Sequence, residues 1–170
     1  MADGLIVVSD TVTAALTRAI AAGQDLSPAM IAIANSGVDQ TEVNFEGEHD
    51  PLGVPWVITK RKEENPAAKI LTDTRDLRGS IKADSGADFA AWGPESSFGA
   101  AGYAAAHQWG AVIRRKVSPA PRGRKMGPLQ PGSVTLPARA YVGWSPTLTE
   151  LTLGHLADHL GAAFEGASRP

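Results

Sequence analysis

The residues best placed for chemistry are few. His155 and His159 stand four apart with Asp158 beside the second, a spacing that puts two imidazoles on one helix face and can hold a metal ion. A metallohydrolase built on such a pair needs a glutamate general base directly after the first histidine, and Leu156 stands there. The pair is therefore expected to form a polar edge near a helix C-terminus, where protonated histidine is mildly favoured. Asp73, Asp76 and His107 could be drawn as an acid–base set, but no nucleophile elbow, phosphate loop or dinucleotide fingerprint accompanies them. Asp73 and Thr74 are better read as holding turn amides. The expectation is a chain that is not an enzyme and has no catalytic residue, metal or cofactor.

Charge points to surfaces. Arg114, Arg115, Lys116, Arg122, Arg124 and Lys125 gather in an arm from 114 to 125 that runs into a stretch, 118–132, rich in proline, glycine and arginine and unable to build a core. Such an arm could touch phosphate backbones without reading sequence. It lacks aromatics, so it does not suit single-strand stacking. Upstream, Asp39, Glu42 and Glu46, continued by Glu48 and Asp50, form an acidic cluster on the outer face and end of an expected helix. Packed head to tail, identical subunits would bring these two unlike surfaces of one chain together.

Size and composition set the bounds. The chain has 170 residues, 43% apolar and 20% charged, with a formal net charge of −2. That fits one ordinary globular domain over 1–170 and argues against a surface wholly given to nucleic acid. The 18 glycines and 12 prolines imply many turns or extended arms. Without cysteine there are no disulfides or thiolate metal sites, and a reducing compartment is the natural inference. No apolar run approaches the roughly 20 residues of a membrane span, and the N-terminus lacks the pattern of a signal peptide. The expectation is a soluble protein made and kept in a cytoplasm, with no membrane partner.

The elements that must carry these surfaces follow from periodicity and punctuation. Leu5-Ile6-Val7-Val8 reads as a strand, and Asp10 then caps a helix over roughly 11–22, with Val12, Leu16, Ala19 and Ile20 inward and Gly23 at its end. Ser27-Pro28 opens a second helix that runs to about Glu46 on the stripe Met30, Ala34, Val38, Thr41 and Phe45, weakened at Gly37. The segment 50–56 turns at Pro51, Gly53 and Pro55, and Trp56 is expected to plug the core; 59–65 is charged and read as exposed. A strand near 79–84 should pair back through 88–92 as a hairpin, with a loop over 95–102. Ala111 to Val117 reads as a strand that becomes the arm, and 134–136 as a returning strand. A last helix begins near Ser145-Pro146, with Thr147 and Glu150 as a capping box and Leu153, Leu156, Leu160 and Phe164 as its stripe; Gly161 frays its end.

Between these lies Tyr103-Ala104-Ala105-Ala106-His107-Gln108-Trp109-Gly110. Three alanines let a short helical turn approach another backbone, the aromatics offer apolar bodies with polar handles, and Gly110 can take the positive φ that stops the turn. The octet reads as a core corner.

Phe45, Pro51-Leu52-Gly53 with Trp56, Asp73-Thr74 with Leu77-Arg78-Gly79, Tyr103 with His107-Gln108-Trp109-Gly110, and Leu136-Pro137-Ala138-Arg139 with Gly143, in this order and spacing, resemble the phage virion morphogenesis, or tail-completion, family of Mu-like tailed phages. The likeness spans roughly 5–160. It implies an α+β fold, with an N-terminal strand and helices packed on a small antiparallel β-sheet, an extended arm near 114–133 and a C-terminal helix. It further implies a structural virion protein of the tail or neck, assembled in the bacterial host cytoplasm as a ring, commonly hexameric, that completes the tail tube and joins it to head connector or stopper proteins. Non-specific contact with genomic DNA through the arm is a further expectation, and a small DNA-binding accessory protein is the competing reading. Two positions depart from the family pattern: Arg75 stands where glycine is usual, and Ala140 where a second proline is common. Arg139 is expected to be structural, paired with a carboxylate such as Asp73 or Asp76.

Overall fold

A computed structural model describes residues 11–95, 101–114 and 133–165. The expected strand at 5–8 and most of the arm lie outside them. The chain divides into two compact units, the first from residues 1–40, 82–93 and 144–170, the second from 41–81 and 94–143. The architecture is α+β, helices with two small antiparallel sheets.

The first unit is built on α1 (Thr11–Gln24), the N-terminal part of α2 (Ser27–Gly47) and a late helix, Pro146–Glu165. The Asp25 carboxylate accepts the Ser27 N–H at 3.0 Å, so the cap of α2 is Asp25 and Ser27 is already inside the helix. Those bonds hold the Asp25 carboxyl below its ordinary value. The late helix is capped by Ser145, whose Oγ accepts from Leu148 N–H at 3.0 Å and donates to Gln40 Oε1 at 3.1 Å. The expected Thr147–Glu150 box is not the cap, because the hydroxyl two residues earlier reaches the third helical amide first. α1 continues through Gly23, and the last helix continues through Gly161.

Helix faces differ from the expected ones. α1 packs against the late helix. It turns inward the half-buried Ala15, Ala19 and Ala22, while Leu16 and Ile20 remain 53% and 63% exposed. Small side chains permit close helix approach, and the bulky pair one position along is left outward. On the late helix Leu148 is fully buried and Leu156 half-buried, but Leu153, Leu160 and Phe164 are exposed. Gly37 is buried, and a Cβ there would lie 2.2 Å from the Trp92 ring. Its role is to seat that indole, which meets Trp144 edge to face at 5.3 Å. The α2 stripe keeps Ala34, Thr41 and Phe45 buried, with Ala29 and Ile33 added and Met30 and Val38 half-buried.

The second unit closes on three aromatics. Phe45 packs against Trp56 at 5.7 Å and Tyr141 at 5.3 Å. Trp56 is 5% exposed, as its sequence context predicts. Each ring's polar neighbourhood is tied to backbone: Trp56 Nε1 donates to Ala140 O, Asn44 Nδ2 to Tyr141 O and the Tyr141 hydroxyl to Ala104 O. Burial and the nearby Tyr103 phenol push the Tyr141 pKa up to about 12. Asp50 Oδ1 accepts from Leu52 and Val54 N–H, which fixes the turn that delivers Trp56.

Two short helices escaped the sequence reading. α3 (Lys60–Glu64) is capped by Thr59, which accepts from Lys62 N–H, and α4 (Asp76–Gly79) delays the next strand to Ile81. β1 (Ile81–Ser85) and β2 (Ala90–Pro94) form the expected hairpin. α5 (Ala101–Trp109) follows, then β3 (Ala111–Arg114), which pairs antiparallel with β4 (Ser133–Leu136) in the register Ala111 to Leu136 and Arg114 to Ser133. The late helix is α6.

Candidate assembly surfaces

The residues singled out in the octet divide between anchoring and exposure. Gln108 is the anchor: its Oε1 accepts from Tyr141 and Val142 N–H at 3.1 and 3.2 Å, and its Nε2 donates to Val142 O at 2.7 Å. One side chain thereby supplies the hydrogen bonds of a missing strand partner to segment 141–142. Gly110 takes φ +77°, and a Cβ there would lie 3.0 Å from Leu136 O and Ala138 N, so glycine is required both for the turn and for the approach. The same approach lets Arg139 N–H donate to His107 O at 2.7 Å. Trp109 is no part of a core: it is 77% exposed, and Tyr103 is 51% exposed. The helix ends at Trp109, so the face that anchors through Gln108 leaves its neighbour outward.

Arg139 is 5% exposed, and among the described residues no carboxylate pairs with it. Its Nε–H donates to Val57 O at 3.0 Å. Asp73 pairs instead with Arg61, from the α3 helix that the sequence did not disclose, and Thr74 rather than Asp73 bonds a turn amide, that of Asp76. Burial lowers the Arg139 pKa from its ordinary value. Burial, with the Arg139 charge nearby, also lowers that of His107, whose Nδ1 is buried and has no hydrogen-bond partner among the described residues. Arg139 and His107 line a cleft of about 520 Å³ with Val57, Ile58, Lys60 and Tyr103 among its other walls.

The acidic cluster is largely engaged within the chain. Arg78 bridges Glu42 and Glu46, reaching the latter at 3.0 Å, so the Leu77-Arg78 motif buries Leu77 and neutralises one ridge of α2. Glu48 pairs with Lys62 and accepts the Ile70 N–H at 2.6 Å. Partial burial works against its charge, but these partners outweigh it and hold the carboxyl below its ordinary value. Asp39 is exposed on α2. Of the basic set, Arg114 ends β3 opposite Ser133 and is exposed; Arg115, Lys116, Arg122, Arg124 and Lys125 lie outside the described residues. The β3–β4 ladder sets Arg114 opposite Ser133.

His155 and His159 make polar contacts: Nε2 of His155 meets Ser36 Oγ at 2.9 Å, and Nε2 of His159 meets Ala22 O and Asp25 O. Among the described residues no group of three or more metal-ligating side chains gathers, and no helix is long and apolar enough to cross a membrane.

The ordered set of anchors now has a geometry: Phe45 with Trp56, Leu77-Arg78 over the α2 ridge, Gln108 on segment 141–142, Gly110 against Leu136 and Arg139 beneath Val57. The sequence profile of the phage virion morphogenesis family matches residues 7–161, nearly the whole chain. The chain belongs to this family. No curated protein and no solved structure matches it. As a virion morphogenesis protein it has a structural role in building the phage particle. The family's usual glycine at position 75 is explained by the backbone, for Arg75 takes φ +63° and ψ +2°. The arginine is held in the left-handed region that glycine enters freely. The cleft residues Val57, Ile58, Lys60 and Arg61 of this virion morphogenesis protein were missed, since the run 59–65 read only as charged; a threonine followed by Lys-Arg-Lys-Glu-Glu was the available signal for a capped turn.

Proposed function

We propose that this chain is a tail-completion protein of a tailed phage or prophage, acting at the head-to-tail junction as a ring of identical subunits, commonly six, between the tail tube and the head connector or stopper. The observation that carries this reading is the apolar surface left outward on α1 and α6. Leu16, Ile20, Leu153 and Phe164 are each about half or more exposed, on helices that already pack against one another. Large apolar side chains left exposed on two packed helices suit a surface that another chain covers. The chemistry of the polar residues agrees with a scaffold that is not an enzyme. Gln108, Asn44 and Arg139 serve backbone groups, and Glu42, Glu46, Glu48 and Asp73 serve ion pairs.

Inactivating this chain in its phage tests the reading. Filled heads and separate tails should accumulate unjoined, and supplying the protein in extracts should restore joining. Particles of normal yield and infectivity would contradict it. Duplex-DNA binding that is tight at low salt and falls steeply as salt rises would favour the DNA-binding accessory protein instead.

A further inference from the structure

We propose that the cleft lined by Arg139 receives the acidic tip of the β1–β2 hairpin from a second copy of this chain, with Asp88 supplying a carboxylate and Phe89 an apolar wedge. This rests on the self-assembly proposed above and names the surfaces that carry it.

The cleft is cationic and incompletely satisfied. Lys60, Arg61 and Arg139 line it, and its one carboxylate, Asp73, is taken by Arg61. Arg139 is 5% exposed, yet among the described residues no carboxylate pairs with it. A buried guanidinium that among the described residues has a carbonyl and no carboxylate beside it is an unbalanced charge, and it is stabilised by an acceptor that brings the opposite sign. His107 adds a second unmet group, a buried Nδ1 without a partner among the described residues. Around these polar groups the walls are apolar and open: Val57 is 56%, Ile58 59% and Tyr103 51% exposed. Leu71, on the same wall, holds φ +58°, a left-handed conformation that is strained for a bulky residue and is found where a surrounding site over-determines the backbone. The volume of about 520 Å³ suits a loop tip carrying two side chains.

The hairpin tip has the complementary chemistry. Gly86 N–H donates to Phe89 O at 3.0 Å, and the Phe89 ring lies 2.4 Å from where a Gly86 Cβ would be, so the turn is held closed by its own residues. Asp84 and Asp88 are exposed, Phe89 is 47% exposed, and among the described residues no cation pairs with Asp88. Six other carboxylates are less suited to enter a cleft: Glu42, Glu46 and Glu48 are ion-paired, Asp25 and Asp50 hold turn amides, and Asp39 lies along a helix side. A knob and a hole at different places on one chain make a heterologous contact, the kind that closes into a ring when the rotation between copies allows.

The test is sedimentation velocity of the full chain over a concentration series, comparing wild type, Lys60→Glu, Asp88→Lys, the double variant and an equimolar mixture of the two single variants. Both positions are exposed, and circular dichroism checks that each variant is folded. Wild type should form multimers, and each single variant should associate at least tenfold more weakly. The mixture should recover multimers in which the two variants alternate, because the lysine tip of one fits the glutamate cleft of the other, whose own aspartate tip fits the unchanged lysine cleft of the first. The double variant should recover multimers. If wild type and both single variants assemble alike, the cleft assignment falls while self-assembly stands. A wild-type chain that stays monomeric at every concentration overturns both.

Discussion

The two ends of α2 lie in differently built surroundings. At its C-terminal end Phe45, Trp56 and Tyr141 close on one another, and Asn44, Gln108 and the indole N–H tie the returning segment 140–142 by its backbone. In the unit that holds its N-terminal end, α1 and α6 pack together with alanines of α1 half-buried while leucines, an isoleucine and a phenylalanine remain exposed. Apolar periodicity is present in both. The first uses it to close a core within the chain, and the second keeps much of it for a surface, which is the division of labour expected of a protein that must fold alone and then assemble.

The sharpest way to break this contrast is to truncate one residue on each side. Phe45→Ala should cost about 3–5 kcal/mol, read from urea unfolding, because it empties a fully enclosed site. Phe164→Ser should change unfolding stability by no more than about 0.5 kcal/mol while weakening self-association. Equal losses of stability would show that the α6 face is core. Next in size, Gln108→Ala should cost about 1–3 kcal/mol, as amides of residues 141 and 142 lose their acceptor. Gly37→Ala should cost a similar amount, about 1–3 kcal/mol, through collision with Trp92, and near-ultraviolet circular dichroism should report the displaced indole.

Smaller effects sharpen the account. Arg75→Gly should stabilise by up to about 1 kcal/mol by relieving a left-handed arginine, seen as a raised urea midpoint. His107 contributes a pH dependence whose sign follows from its depressed folded pKa. Above the ordinary imidazole value of 6.5 both states are neutral, and stability is fully present. As pH falls from 6.5 towards the lower folded value, the unfolded chain binds the proton first and stability declines. His107→Gln should flatten that slope in unfolding measured from pH 7 downward; an unchanged slope would assign it to other groups.

What the sequence disclosed was local. Ser145-Pro146 and the turn residues around Gly53 and Gly110 act within a few positions, and their structures follow the reading closely. Trp56 was legible because a large aromatic between two prolines and a charged run has one place to go. The faces of α1 and α6 were not, since the bulkiest residues suggested burial, whereas on α1 it is alanines that are half-buried and Leu16 and Ile20 that are exposed. Arg139 is buried and bonds Val57 O, and the carboxylate partner expected for it is not among the described residues. Its supposed partner Asp73 is claimed by Arg61, and that competition arises only once α3 folds. Trp109 was misplaced for a related reason: the anchoring side chain of its helix is Gln108, and successive helical residues face different ways.

Where this chain resides in the particle tests the account most directly. Antibody against the chain, gold-labelled and viewed by electron microscopy on isolated tails and on whole virions, should mark the head-proximal end of tails and the neck of joined particles. Label distributed over the capsid or along the tail shaft, or its absence from particles altogether, would contradict the proposed place at the head-to-tail junction.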